Sequence, residues 1–232
     1  SCILRTLDKY FNHEIVNTNQ NFSKNLNLNF FKDLEIRKPK YFLKNSINKS
    51  PIDFISKALI FFEKVLEKEK PDAILILGDT NTSLTAICAK RKKIPIFHIE
   101  AGNRCFDQRV PEEINRKIVD HISDFNFTYT EISKQNLIRE GVHSEKIVNI
   151  GSPMKEVINY YQKKINLSKI IKNLKLKKNN FFLVSLHREE NVDNKDKLKL
   201  FLNSIDSLCN LYKVKAIVST HYRTAKKLEK IS

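Results

Sequence analysis

Between His98 and Arg116 the chain carries four acidic residues (Glu100, Asp107, Glu112, Glu113), three arginines (Arg104, Arg109, Arg116) and His98 itself, punctuated only by Gly102 and Pro111. The stretch joins a strand-like apolar run, Ile94 to Phe97, to a helix-like one, Ile114 to Ile122. A connector this long and this charged, with apolar flanks that argue against disorder, is expected to be an active-site loop. Asp79 stands directly after another apolar run, Ala73 to Leu77, and Glu100 lies two residues past His98. If Asp79, Glu100 and Glu112 converge, burial and mutual repulsion raise at least one of their pKa values, which supplies an acid and a base at neutral pH. His187 and Arg188 follow a third apolar run, Phe181 to Leu186. They suit an anionic pyrophosphate, Arg as a forked donor and His as a donor when protonated.

Each candidate also has a bland account. Asp79 is a residue type that caps helices, although Thr82 or Ser83 is better placed to cap the helix expected near Leu84. Glu112 and Glu113 follow Pro111 and favour a helix N-terminus through the dipole, an account that suits one of them better than both. A lone histidine is usually a hydrogen-bonded core or surface residue. Its neighbours Arg188, Glu189 and Asn191, all at a strand end, favour a functional reading of His187.

These residues need a scaffold, and the apolar pattern supplies one. Helical spacing over Ile52 to Glu69 is marked by Ile55, Leu59, Phe62, Val65 and Leu66, and Pro71 ends it. The continuous run Ala73–Leu77 predicts a strand buried on both faces. Strands are also expected at Glu14–Thr18, Pro95–His98, Phe125–Tyr129, Lys146–Ile150, Phe181–Leu186 and Lys215–Thr220. Helices are expected at residues 1–12, 84–92, 112–124, 133–140 and 195–212. Strands alternating with helices imply a parallel, doubly wound α/β sheet. The polar clusters all fall at carboxyl ends of strands, where such folds bind ligands. Two domains are expected, over residues 1–153 and 180–232, joined by a lysine-rich helical connector at 154–179. The second holds only two strands, too few to close a core, and the start at Ser1 reads as mid-helix; the chain therefore reads as truncated at both ends.

Composition narrows the class. A hydrophobic content of 41% fits a soluble globular protein, and no apolar run reaches a membrane span. Four dispersed cysteines, Cys2, Cys88, Cys105 and Cys209, form no C-x-x-C pair, so a reducing cytoplasm is expected. Cys88 reads as a core thiol and Cys105 as exposed. The net charge of +16 suits a phosphorylated partner, but the lysines are dispersed and no nucleic-acid-binding motif accompanies them, so neither nucleic acid nor membrane is an expected partner. The four glycines, at 78, 102, 141 and 151, allow no Walker A loop and no G-x-G-x-x-G. G-x-S-x-G is absent and no metal-ligand cluster stands out, so no cofactor and no metal are expected. The residues alone indicate a two-domain α/β enzyme that acts on an anionic substrate by carboxylate acid–base chemistry. They do not specify the reaction.

Five motifs in order supply more: Gly78-Asp79-Thr80, His98-Ile99-Glu100-Ala101-Gly102, Pro111-Glu112-Glu113-Ile114-Asn115-Arg116, Gly151-Ser152-Pro153 and His187-Arg188-Glu189-Glu190-Asn191. Together they resemble the non-hydrolysing UDP-N-acetylglucosamine 2-epimerase family over nearly the whole chain. The resemblance implies two Rossmann-like domains of GT-B-like type, a UDP-sugar substrate and a homodimer in the full-length protein. It implies acid–base or intermediate-stabilising roles for Asp79, Glu100 and Glu112 and a phosphate or catalytic role for His187. Substrate contacts are implied for Arg104, Arg116, Ser152, Arg188 and Asn191. The family reaction removes the C2 proton as UDP leaves C1, forms a glycal, and re-adds both with inverted C2. Asn103 to Arg109 looks like the branch that makes UDP-N-acetyl-L-fucosamine from the 2-acetamido-2,6-dideoxy-L-talose nucleotide, for surface polysaccharide. The family's Gly-Thr-Arg-Pro-Glu nucleotide loop falls before Ser1 and its uridine-binding segment beyond Ser232, so this chain by itself is open to being an inactive nucleotide-sugar-binding fragment. Asn17-Thr18-Asn19-Gln20 stands where the family has a Thr-Gly-Gln turn; Asn19 can take φ > 0, which preserves the turn. A GT-B glycosyltransferase is the alternative enzyme.

Overall fold

The computed structural model describes residues 2–20, 31–44, 50–186 and 194–220. The chain divides into two compact units, Ser1–Asn159 and Tyr160–Ser232.

In the first unit, helix α1 (Cys2–Tyr10) precedes two short parallel strands, β1 (Val16–Asn17) and β2 (Tyr41–Phe42). The β2 strand was not among those expected from the sequence: two residues carry no readable alternation, and the pairing is made by partners 25 positions away (Val16 with Tyr41). Asn19 takes φ 55° and its N–H donates to Asn17 Oδ1 at 2.6 Å, so the turn forms with asparagine in glycine's place. Residues 21–30 lie outside the described residues.

Helix α2 (Pro51–Glu69) starts where Ser50 accepts from Asp53 N and Pro51 fills the first turn; it stops at Lys70 in the left-handed region. Its buried face is Phe54, Ala58, Phe62, Val65 and Leu66, so Ile55 and Leu59 fall at the margin rather than the centre. A four-stranded parallel sheet follows, in the order β3 (Ile74–Leu77), β4 (Ile96–Ile99), β5 (Phe125–Thr128), β6 (Ile147–Asn149). The crossovers are a 3-10 turn, Asn81–Thr85, running into α3 (Ala86–Arg91), then α4 (Pro111–Ile122) and α5 (Glu131–Arg139). The core joins Phe62 and Leu66 of α2, Ala86 and Ala89 of α3 and Val119 of α4 to Ile74 and Ile96 of the sheet.

The strand β3 corrects the expectation of burial on both faces. Leu75 and Leu77 are exposed while Ile74 is buried. Among the described residues β3 pairs only with β4, and helix packing covers one face of it. On the opposite face Phe97 stacks on Phe125, ring centroids 5.3 Å apart.

Helix α6 (Met154–Leu167) begins in the first unit and ends in the second, which continues through α7 (Ile170–Asn173), β7 (Phe181–Leu186), α8 (Lys195–Tyr212) and β8 (Lys215–Thr220). The last three match their expected boundaries. The two strands pair in parallel and Phe182 meets Tyr212 edge-on, but Leu183, Leu200 and Leu211 stay exposed, as expected of two strands without a closed core. Among the described residues no helix is long and apolar enough to cross a membrane.

Candidate active site

The carboxyl ends of β3, β4 and β5 bring Asp79, Glu100 and Tyr129 to one edge of the sheet, and the first turns of α4 close over it. Gly78 takes φ +78° directly after β3, and its N–H donates to Ile99 O at 3.0 Å, which holds the two strand ends in register. Asp79 does not cap the following helix. Its Oδ2 accepts from Arg116 Nε at 2.9 Å and Nη2 at 2.5 Å, and its carbonyl accepts from Asn115 Nδ2 at 3.0 Å. Thr82 and Ser83 do not cap with their side chains either. Gln20 Oε1, from the turn after β1, accepts from Thr82 N at 3.2 Å and takes that role. Ser83 Oγ donates to Thr80 O.

Glu100 sits at the end of β4 with φ 72°, a left-handed conformation rare for a residue with a side chain and typical of functional sites. Burial, and next the Asp79 charge, push its pKa up, while Arg116 and His98 pull in the other direction. Burial and the Glu100 charge likewise push Tyr129 up. Two neighbouring carboxylates thus differ in environment: Asp79 is clamped by a guanidinium, and Glu100 keeps a proton to higher pH than an ordinary glutamate. That difference is what an acid–base pair needs.

Beneath them lies a buried polar network. His98 Nε2 donates to Gly78 O at 3.0 Å, and its Nδ1 bonds Asp120 Oδ1 at 2.8 Å. Asp120 Oδ2 accepts from Gly102 N at 3.2 Å and Arg104 Nη1 at 2.8 Å. Arg104 also grips Glu140 with two bonds, at 2.7 and 2.5 Å. The Arg104 side chain is 0% exposed and spent on these partners. It pins the loop to α4 and α5. Gly102 is required at the same place. A Cβ there would lie 2.2 Å from Ser133 O, so the loop runs directly against α5.

Glu112 and Glu113 part ways. Glu112 is exposed in the first turn of α4. Glu113 is fully buried. It accepts from Cys105 N at 3.0 Å, Phe106 N at 3.2 Å and Arg116 Nη1 at 2.9 Å. Burial alone would raise its pKa, but these donors hold it below the usual glutamate range. The sequence signal for Glu113 was its helical spacing of three from Arg116; its burial had no signal.

Arg116, an expected substrate contact, is seen to bind Asp79, Glu113 and Asn103 O. Ser152 is exposed after β6, where it lines a groove of about 500 Å³ together with Ile3, Ile150, Lys155 and Glu156. His187, Arg188 and Asn191 lie outside the described residues. Among the described residues no group of three or more His, Cys, Asp or Glu is placed to hold a metal ion.

Comparison with known proteins places the chain in a family. A UDP-N-acetylglucosamine 2-epimerase from Methanocaldococcus jannaschii is 40% identical over all of this chain and 64% of its own length. A UDP-2,3-diacetamido-2,3-dideoxy-D-glucuronate 2-epimerase from Pseudomonas aeruginosa is 34% identical over 94% of this chain and 60% of its own. The structure of UDP-N-acetylglucosamine 2-epimerase from Rickettsia bellii superposes with a TM-score of 0.89 at 49% identity, over 100% of this chain and 60% of that one. The M. jannaschii UDP-GlcNAc 2-epimerase in complex with UDP-GlcNAc and UDP also gives 0.89 at 40% identity, over 98% of this chain and 64% of that one. The α/β, GT-B-like class expected from the sequence is that of these structures, of whose length the chain spans about three-fifths. The model of the UDP-N-acetylglucosamine 2-epimerase family matches residues 5–232, and with the relatives above this shows that the chain belongs to that family.

Proposed function

We propose that the protein to which this chain belongs inverts C2 of a UDP-N-acetylhexosamine. The observation that carries the reading is the pair Asp79 and Glu100, two adjacent carboxylates at the carboxyl edge of the sheet, one clamped by Arg116 and one with a raised pKa. Inversion needs a group that takes the C2 proton and a group that returns one to the opposite face. As the C2–H bond breaks, its electron pair forms the C1=C2 bond of a glycal. The C1–O bond breaks with its electrons remaining on the departing UDP oxygen. The reverse addition delivers a proton to C2 from the other side and rejoins UDP at C1. Asp79 and Glu100 are the proposed proton carriers, with Glu112, exposed and unengaged by the described residues, as the third carboxylate acting on bound substrate. His187 and Arg188 are the proposed donors to the leaving pyrophosphate, with Ser152 and Asn191 as further substrate contacts. Arg116 serves by orienting Asp79.

The substrate branch proposed is the 6-deoxy one, UDP-N-acetyl-L-fucosamine being the product, and the support is the loop sequence Asn103 to Arg109. A homodimer is proposed for the full-length protein. The test is incubation of that protein in deuterium oxide with UDP-N-acetylglucosamine and with the 2-acetamido-2,6-dideoxy-L-talose nucleotide. Deuterium at C2 of recovered sugar is expected, faster with the second. Transfer of sugar to an acceptor without label at C2 would establish a glycosyltransferase instead.

A further inference from the structure

Glu113 stands at the third position of α4, where a glutamate ordinarily reaches back to the helix N-cap or lies exposed in the favourable dipole. It does neither. Its carboxylate turns inward to 0% exposure and serves two clients, the loop tip and Arg116, with Lys117 Nζ 4.0 Å from Oε1. Oε1 takes Phe106 N; Oε2 takes Cys105 N and Arg116 Nη1. Burying a carboxylate is unfavourable unless it is paired and fully hydrogen-bonded, so this arrangement is a specific one.

Both clients are themselves unusual. Phe106 is held at φ 57° with its ring 77% exposed, at the tip of the loop. Arg116 uses its other two nitrogens on Asp79 Oδ2 and also reaches Asn103 O, at the loop's start. One carboxylate therefore links the loop tip to the guanidinium that sets Asp79. A displacement of Cys105 or Phe106 must move Glu113, and with it the Arg116 fork.

We infer that Glu113 is a positioning residue that couples the tip of the loop, Cys105–Phe106, to the Asp79 carboxylate through Arg116. A UDP-sugar that packs against the exposed Phe106 ring thereby fixes the group that handles its C2 proton, and discrimination between sugars is expressed in turnover rather than in binding. This second statement rests on the epimerase reading; the coupling itself does not.

Two measurements on the full-length protein separate them. In the absence of substrate, hydrogen exchange of the Cys105 and Phe106 amides is compared in wild type, Glu113→Gln, Arg116→Lys and Asp79→Asn. Coupling predicts faster exchange, on the order of tenfold, in Arg116→Lys and Asp79→Asn, although neither residue touches those amides. Exchange that quickens only in Glu113→Gln overturns the proposal. In turnover, Glu113→Gln is expected to lower kcat roughly 10- to 100-fold with KM within about threefold, and to add little further loss to Arg116→Lys. Losses that multiply, or that follow a fall in Tm, would make Glu113 merely structural and overturn the positioning role. A wild type that places no label at C2 defeats the epimerase reading, and the exchange data still decide the coupling.

Discussion

Arg116 donates both Nε and Nη2 to a single oxygen of Asp79, across 37 residues of sequence, at 2.9 and 2.5 Å. Two N–H groups of one rigid guanidinium converging on that oxygen hold it in place with a directionality that a lysine ammonium lacks. Arg116→Lys should therefore retain the charge, fold normally and lose about 100-fold in the rate of deuterium entry at C2. Near-normal labelling would show that orientation of Asp79 does not matter.

Glu100 provides a pH signature. Burial and the Asp79 charge disfavour its ionised form, so the folded protein holds this proton to higher pH than the unfolded chain. Stability from this group is full below the ordinary glutamate pKa and is lost as pH rises through the raised folded value. Glu100→Gln removes that dependence. Its Tm should equal the wild-type value near pH 4 and exceed it by about 2 °C at pH 8, while activity is abolished. A lower Tm than wild type at pH 8 would contradict the assigned strain.

Glu112 tests the reverse case. Because it is exposed and unengaged by the described residues, Glu112→Gln should leave Tm within about 1 °C. Any loss of C2 labelling in that variant then belongs to the chemistry of bound substrate. Full activity would remove Glu112 from the acid–base set.

Gly102→Ala should be among the most damaging single-methyl additions available. The new Cβ would meet a backbone carbonyl at 2.2 Å, at a φ of +76° that alanine rarely adopts. A loss of about 3 kcal/mol or more is expected, read as a lowered urea midpoint at unchanged slope. A stability loss under about 1 kcal/mol would mean that the loop can lift from α5.

Much of the scaffold was legible because it rests on local pattern. The runs Ala73–Leu77 and Phe181–Leu186 and the helical spacing from Ile52, ended by Pro71, gave strands and a helix within a residue or two of those observed. Asp79 and Glu100 stand at strand ends, where a parallel sheet gathers its ligands, so their meeting followed from position alone. Asn19 took the left-handed turn expected of it for an equally local reason.

Only the tertiary structure decided what each charge in the loop faces. Arg104 and Glu113 carry the same kind of charge as their neighbours Arg109 and Glu112, yet the first pair is buried and the second exposed. The difference comes from partners far along the chain: Glu140 and Asp120 for Arg104, and for Glu113 a loop backbone that the close approach of Gly102 to α5 folds inward. A charge is buried where enough donors and acceptors converge to replace water, and that convergence is a property of the assembled fold, not of the residue or its neighbours in sequence.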